Sequence, residues 1–171
     1  MGKLLISTAN VFIFQIQIHT MKKSFLSLIL VIALISTSMR SSAQSKASLN
    51  HIAIYVVDLK QSTSFYKNVI GLDTIPEPFH DGKHTWFSIG PKSHLHVIQG
   101  AVGATSHDKN NHLCFTVPSV ENFISILNKN NIEYENWAGE KKTVTNRVDG
   151  VKQIYFKDPD GYWIEINDAK E

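Results

Sequence analysis

The feature that most constrains this chain is a segment written twice. Asn50-His51-Ile52-Ala53-Ile54-Tyr55-Val56 returns as Asn111-His112-Leu113-Cys114-Phe115-Thr116-Val117, an offset of 61 residues between His51 and His112. In both copies an Asn-His pair leads an apolar alternation, the pattern of a strand with one buried face. A helical pattern follows each copy. Over 59–70, Phe65, Tyr66, Val69 and Ile70 cluster on one side, and over 119–130, Phe123, Ile124 and Leu127 do the same. Ser119 and Asn122 suit the start of the second helix, whereas Gly71 and the Asn run near 130 suit the stops.

Three short strand candidates follow each helix: 73–76, 84–89 and 94–99 in the first half, then 133–137, 151–156 and 162–167 in the second. Asp81-Gly82, Gly90-Pro91 and Asp158-Pro159-Asp160-Gly161 mark turns between them. The order is βαβββ, twice, as modules 49–100 and 111–167 of a domain covering 49–171. Neither module is large enough to bury its own face. The expectation is therefore an α+β domain in which the paired modules form an eight-stranded curved sheet, with helices outside and a cup inside.

The first 43 residues do not share this patterning. They contain no Asp or Glu; Met21-Lys22-Lys23 precedes an apolar run over 25–35, and Ser41-Ser42-Ala43 supplies a small-residue exit. That order is a secretory signal peptide, with its core in 21–43 behind an upstream extension, cleavage near Ala43 and a linker over 44–48. The run is shorter than the roughly 20 residues a membrane-spanning helix needs, so a stable membrane anchor is not expected. A periplasmic or secreted mature protein is. Removing 1–43 removes Lys3, Lys22, Lys23 and Arg40, so the formal charge of +2 falls by four to −2. With no basic stripe left, there is no electrostatic case for nucleic-acid binding. Apolar residues at 43% and charged residues at 19% describe a globular chain of 171 residues with one core. The lone Cys114 rules out an internal disulfide or a Cys metal cluster, so a metal would be held by His and carboxylate.

Strand alternation sorts side chains onto faces. Ile52, Ile54 and Val56 form the helix side of the first strand, leaving His51, Ala53 and Tyr55 toward the cup. In the second copy His112, Cys114 and Thr116 face the cup. The last strand presents Trp163, Glu165 and Asn167, and the strand over 94–99 presents His94, His96 and Ile98. Matching Leu95-His96-Val97-Ile98 to Ile164-Glu165-Ile166-Asn167 sets His96 opposite Glu165, as His51 sits opposite His112. Imidazoles and a carboxylate suit a divalent ion, whether Zn, Fe, Mn, Co or Ni, with open positions left for substrate. His94 competes with His96 for the fourth position. Trp86, Tyr55 and Trp163 are candidates to line a small-molecule pocket.

Taken together, Asn50-His51, Val57-Asp58-Leu59, Phe65-Tyr66, Gly71-Leu72, Asn111-His112 and the Phe156-Lys157-Asp158-Pro159-Asp160-Gly161 run before Glu165 resemble the vicinal-oxygen-chelate superfamily over residues 49–167. The resemblance implies a divalent metal ion held by His51, His96, His112 and Glu165. It also implies a homodimer in which strands one and four of one subunit share the metal with strands five and eight of the other, with closure within one chain as the alternative. Catalysis would fall to Glu165 as proton carrier and His96 as ligand or second base, in a glyoxalase I-like lyase or isomerase acting on a small oxygen-rich substrate. Glyoxalase I usually offers Glu where this chain offers His96. That departure keeps a non-haem iron dioxygenase, a fosfomycin-modifying enzyme using Lys152 or Arg147 for a phosphonate, and a ligand-sequestering module as alternatives.

Overall fold

The computed structural model describes residues 19–23, 25–29 and 46–170. The chain divides into two units, 1–47 and 48–171. In the first unit, the described stretches 19–23 and 25–29 are helical and exposed. The expected cleavage point at Ala43 and the rest of the apolar run lie outside the described residues. No described helix is long and apolar enough to cross a membrane.

The second unit opens with β1 (His51–Val56) and helix α1 (Leu59–Phe65), then adds β2 (Thr74–Ile75), β3 (His84–Gly90) and β4 (Ser93–Gln99). The pattern repeats as β5 (His112–Thr116), α2 (Val120–Lys129), β6 (Thr145–Asn146), β7 (Lys152–Lys157) and β8 (Trp163–Asn167). Each helix begins where its sequence provides a cap. The Asp58 carboxylate accepts from the Gln61 N–H at 3.0 Å and the Ser119 hydroxyl from the Asn122 N–H at 3.2 Å, satisfying donors that a helix start leaves free. A wider π turn over Tyr66–Ile70 extends α1, and Gly71 ends it at φ 87°, in the left-handed region that favours glycine.

The two modules build the same sheet. The first has the order β1-β4-β3-β2 and the second β5-β8-β7-β6. In both, the leading strand runs parallel to the fourth strand of its module and the remaining pairs are antiparallel. β1 and β5 consequently stand at sheet edges. The α+β architecture of paired βαβββ modules is present, its eight strands arranged within one chain as two sheets of four.

One core serves both sheets. Ile54, Val56, Phe87, Leu95 and Val97 of the first module join Ile154, Phe156, Ile164 and Ile166 of the second, with Phe65, Val69, Phe123 and Leu127 from the helices. Phe65 reaches Phe156 at 6.3 Å between ring centroids. Each fully buried branched aliphatic stabilises the fold by roughly 1.5–3 kcal/mol. Ile54, Val56, Leu95, Val97, Ile164 and Ile166 among them are residues that alternation assigned to the helix side. Because both sheets turn that side into a common core, the faces carrying the histidines look outward from it.

A buried polar joint ties the modules together behind those faces. Asp160 accepts from the Val57 N–H at 2.7 Å and the Ser62 hydroxyl at 2.6 Å, and Asp158 accepts from the Tyr66 hydroxyl at 2.7 Å. Burial pushes the Asp158 carboxyl above its ordinary range. The Asp-Pro-Asp-Gly turn is thus a clamp between the end of β1 and the start of β8.

One expected strand is corrected. Residues 133–137 contribute only single bridges, Glu135 with Lys141 and with Tyr155, and the outer strand of the second sheet is Thr145–Asn146. The Asn136 side chain accepts from the Glu140 N–H at 2.9 Å and Gly139 takes φ 90°, so the segment doubles back before a ladder can extend.

Candidate metal centre

The register gives the two modules matching diagonals. Ala53 pairs with His96, and Cys114 pairs with Glu165, so His51 and His112 each stand two residues before the partner of the other candidate ligand. His94 instead lies opposite His51, the place that Trp163 takes opposite His112. Symmetry therefore favours His96 over His94 as the counterpart of Glu165.

In the first module the rings stack. His51 lies on His96 at 4.3 Å and 7°, and Trp86 covers His96 from β3 at 3.9 Å and 2°. The Asn50 side-chain oxygen is 2.7 Å from His51 Nδ1, which puts the proton on that nitrogen and leaves Nε2 with its lone pair. His96 Nε2 is buried and has no hydrogen-bond partner. Burial, reinforced by His51, His94 and His84, holds the His96 imidazole below its ordinary pKa, in the neutral form that ligates metals.

The second module places a carboxylate in a polar nest. Glu165, 6% exposed on β8, accepts from the Tyr155 hydroxyl at 2.5 Å, the Asn167 amide at 2.9 Å and the Cys114 thiol at 3.4 Å. Burial pushes its pKa up, but these bonds together with His112 outweigh that and hold it below the usual carboxylate value. His112 Nε2 lies 3.1 Å from Glu165 Oε2, and His112 Nδ1 lies 2.7 Å from the Lys109 carbonyl, which can only accept. The ring is thereby oriented with Nε2 toward the carboxylate. Gln153 donates to the Tyr155 hydroxyl at 2.8 Å and steadies it.

The expected ligands thus come together as two pairs, His51 with His96 and His112 with Glu165. Among the described residues no group of three or more His, Cys, Asp or Glu side chains stands close enough to hold one ion. The shared core explains this, because it directs the two ligand faces outward instead of toward each other. The donor chemistry still fits a divalent ion. His96 offers an orphaned buried nitrogen, His51 is held through Nδ1 with Nε2 free to ligate, His112 is held through Nδ1 with Nε2 turned to Glu165, and Glu165 is a carboxylate kept ionised.

The remaining candidates fall outside both pairs. His84 bonds Asp81 at 2.9 Å, and His107 stacks on Tyr162 at 4.1 Å. The Cys114 thiol is pushed up to about 12 by desolvation and by the Glu165 charge, although the residue keeps an exposed edge, so it is not a ready nucleophile. Lys152 is tied to Glu121 on α2, away from the ligand face. Arg147 bonds Asp149 at 2.6 Å, and neither pair includes it. Sequence reasoning did not find Tyr155, Gln153 or Lys109. It saw Asn50 only as part of a repeat, though adjacency to His51 was a usable signal.

Comparison with known proteins agrees with this architecture. Residues 48–166 match the Glyoxalase/Bleomycin resistance protein/Dioxygenase superfamily. The chain belongs to that family. A lactoylglutathione lyase of Salmonella typhimurium is 28% identical over 131 residues, covering 72% of this chain and 93% of the relative. The metallothiol transferase FosB of Staphylococcus epidermidis is 26% identical over 126 residues, covering 70% and 80%. Among solved structures, a glyoxalase/dioxygenase from Nostoc punctiforme superposes with a TM-score of 0.59 at 22% identity, covering 76% of this chain and 100% of the other, which supports the fold.

Proposed function

We propose that the protein is a metal-dependent enzyme of glyoxalase type, a lyase or isomerase acting on a small oxygen-rich substrate, and that two copies of the chain complete each site. The carrying observation is the split of four complementary donors into two outward-facing pairs, on modules whose leading strands β1 and β5 are sheet edges. A second copy can supply the missing pair. In the homodimer, His51 and His96 of one protomer would ligate with His112 and Glu165 contributed by the other.

A divalent ion held by these residues supplies Lewis acidity for adjacent substrate oxygens. The chain supplies the rest. Glu165, ionised and held by Tyr155 and Asn167, can take a proton at its Oε2 and return it on the neighbouring carbon. His96, neutral and covered by Trp86, serves as ligand or second base. Trp86, stacked on His96, and Trp163, opposite His112 in the register, would supply apolar walls to the site. The low match to FosB supports a second reading, thiol transfer, for which Arg147 is the candidate to meet an anionic substrate group. The order of the first 43 residues supports export, with the mature protein working in the periplasm or outside the cell.

The test is metal analysis of protein purified without added metal, with its mass in solution, followed by assays on hemithioacetals, catechols and fosfomycin. One ion per protomer in a dimer, with turnover of a hemithioacetal, is expected. A protein that binds no divalent ion would overturn the metal reading, and a metal-loaded monomer would overturn the shared site.

A further inference from the structure

From Thr105 onward the segment joining the modules is bound to the second one. The Thr105 N–H donates to the Asp160 carbonyl at 3.1 Å, and Gly161 leaves no room for a Cβ beside the Thr105 carbonyl. The Trp163 indole donates to the His107 carbonyl at 3.0 Å. The segment then reaches Lys109, whose carbonyl accepts from His112 Nδ1 at 2.7 Å. At its other end, Lys109 Nζ donates to Glu135 Oε1 at 2.5 Å and to the Asn136 and Trp137 carbonyls at 3.3 Å each. Three acceptors use its three protons. The ammonium also lies over Trp163 at 4.7 Å and Tyr155 at 5.6 Å, so its charge is enclosed and not offered to a ligand.

Glu135 is fixed in turn. It exchanges both backbone hydrogen bonds with Tyr155 at 2.8 Å, and the Tyr155 hydroxyl is the donor that holds Glu165. The orientations of His112 and Glu165 are therefore both referred to one point on β7. Surface lysine pairs contribute little, but this one is half-enclosed on both sides, with side-chain exposures of 17% and 14%.

We propose that Lys109 is a positioning residue for His112, anchored by Glu135, and that the pair sets the angle at which His112 Nε2 meets a divalent metal. This rests on the metal reading above. An outer-shell partner of a ligating His changes metal affinity by about 10–100-fold when lost. The experiment is calorimetric titration of the full chain with Zn²⁺, and the visible absorption of its Co²⁺ form, which reports ligand geometry without turnover. Lys109→Met keeps the carbonyl but unties it, so it should weaken Zn²⁺ by about 10-fold, the low end of that range, and alter the Co²⁺ bands. Glu135→Gln should do the same, with no further loss in the double variant, and Lys109→Arg should recover most of the affinity. Lys157→Met, which also removes a cation 4.7 Å over Trp163 but no bond to the His112 segment, should leave both readouts unchanged. If Lys109→Met and Glu135→Gln fold and bind both ions like the parent, the pair is only a brace and the proposal fails while the metal reading stands. A parent that binds neither ion overturns both.

Discussion

The two ligand pairs sit on equivalent strands of equivalent sheets, yet they are built differently. In the first module His51 and His96 are held by ring stacking, with one bond from His51 to the Asn50 side-chain oxygen and an unpartnered Nε2 on His96. In the second, Glu165 accepts from Tyr155, Asn167 and Cys114, and His112 donates to the Lys109 carbonyl. The duplicated frame dictates where the ligands stand. Its non-repeated residues decide how firmly each is held, and the carboxylate, whose buried charge demands partners, receives most of them.

This contrast can be broken most severely at the second pair. Glu165→Gln and His112→Ala each remove a proposed ligand, and should cost more Zn²⁺ affinity than the roughly 10–100-fold that losing an outer-shell partner costs. Calorimetry with metal-free protein checks this; affinity equal to the parent's would replace the metal cup with a metal-independent binding module. At the first pair the effect should be smaller. His96→Ala should bind Zn²⁺ more weakly with one more open position, whereas His96→Glu should keep the ion and raise hemithioacetal turnover, read by inhibitor-free steady-state assay beside the affinity. Smaller again is Asn50→Ala, which frees the His51 ring and should lower affinity by about 10-fold, near the low end for an outer-shell partner.

The smallest effect expected concerns pH, where two carboxylates act in opposite directions. Glu165 has a depressed folded-state pKa, so its contribution to stability is present above the unfolded carboxylate value and is lost as pH falls through the lower folded value. Asp158 has a raised one; its contribution is present below the unfolded value and is lost as pH rises through the higher folded value. Asp158→Asn should therefore flatten the fall in stability across that rise, measured as urea midpoints from acid to neutral pH, while the loss on further acidification persists. An unchanged pH profile would show that the clamp holds no titrating charge.

Much of the frame was legible because period-2 and helical patterns report burial. Ile54, Val56, Leu95, Val97, Ile164 and Ile166 are in the core where alternation put them, and His51, His96, His112 and Glu165 share the opposite faces. Legibility stopped where a fact depends on pairing between distant segments. The outer strand Thr145–Asn146 has no apolar alternation to announce it, and the Glu133-to-Trp137 segment, which has some, is folded back by Asn136 and Gly139. Tyr155 meets Glu165 only through the β7–β8 register, and Lys109 meets His112 only through a backbone carbonyl, which no side-chain pattern encodes. Matched strand faces alone do not say whether the four ligands meet inside one chain or across two, and in this chain they stand as the separate pairs His51–His96 and His112–Glu165.

That outward separation of the ligand pairs has a genetic meaning. If two copies complete each site, a chain carrying His51→Ala and a chain carrying His112→Ala are both inactive alone, because each puts one defect into every site. Co-expressed, a mixed pair would gather both defects into one site and leave the other whole. Two null alleles of the same gene would then complement, up to the share of mixed dimers, and a gene duplicate would be free to lose one pair while its sister kept it.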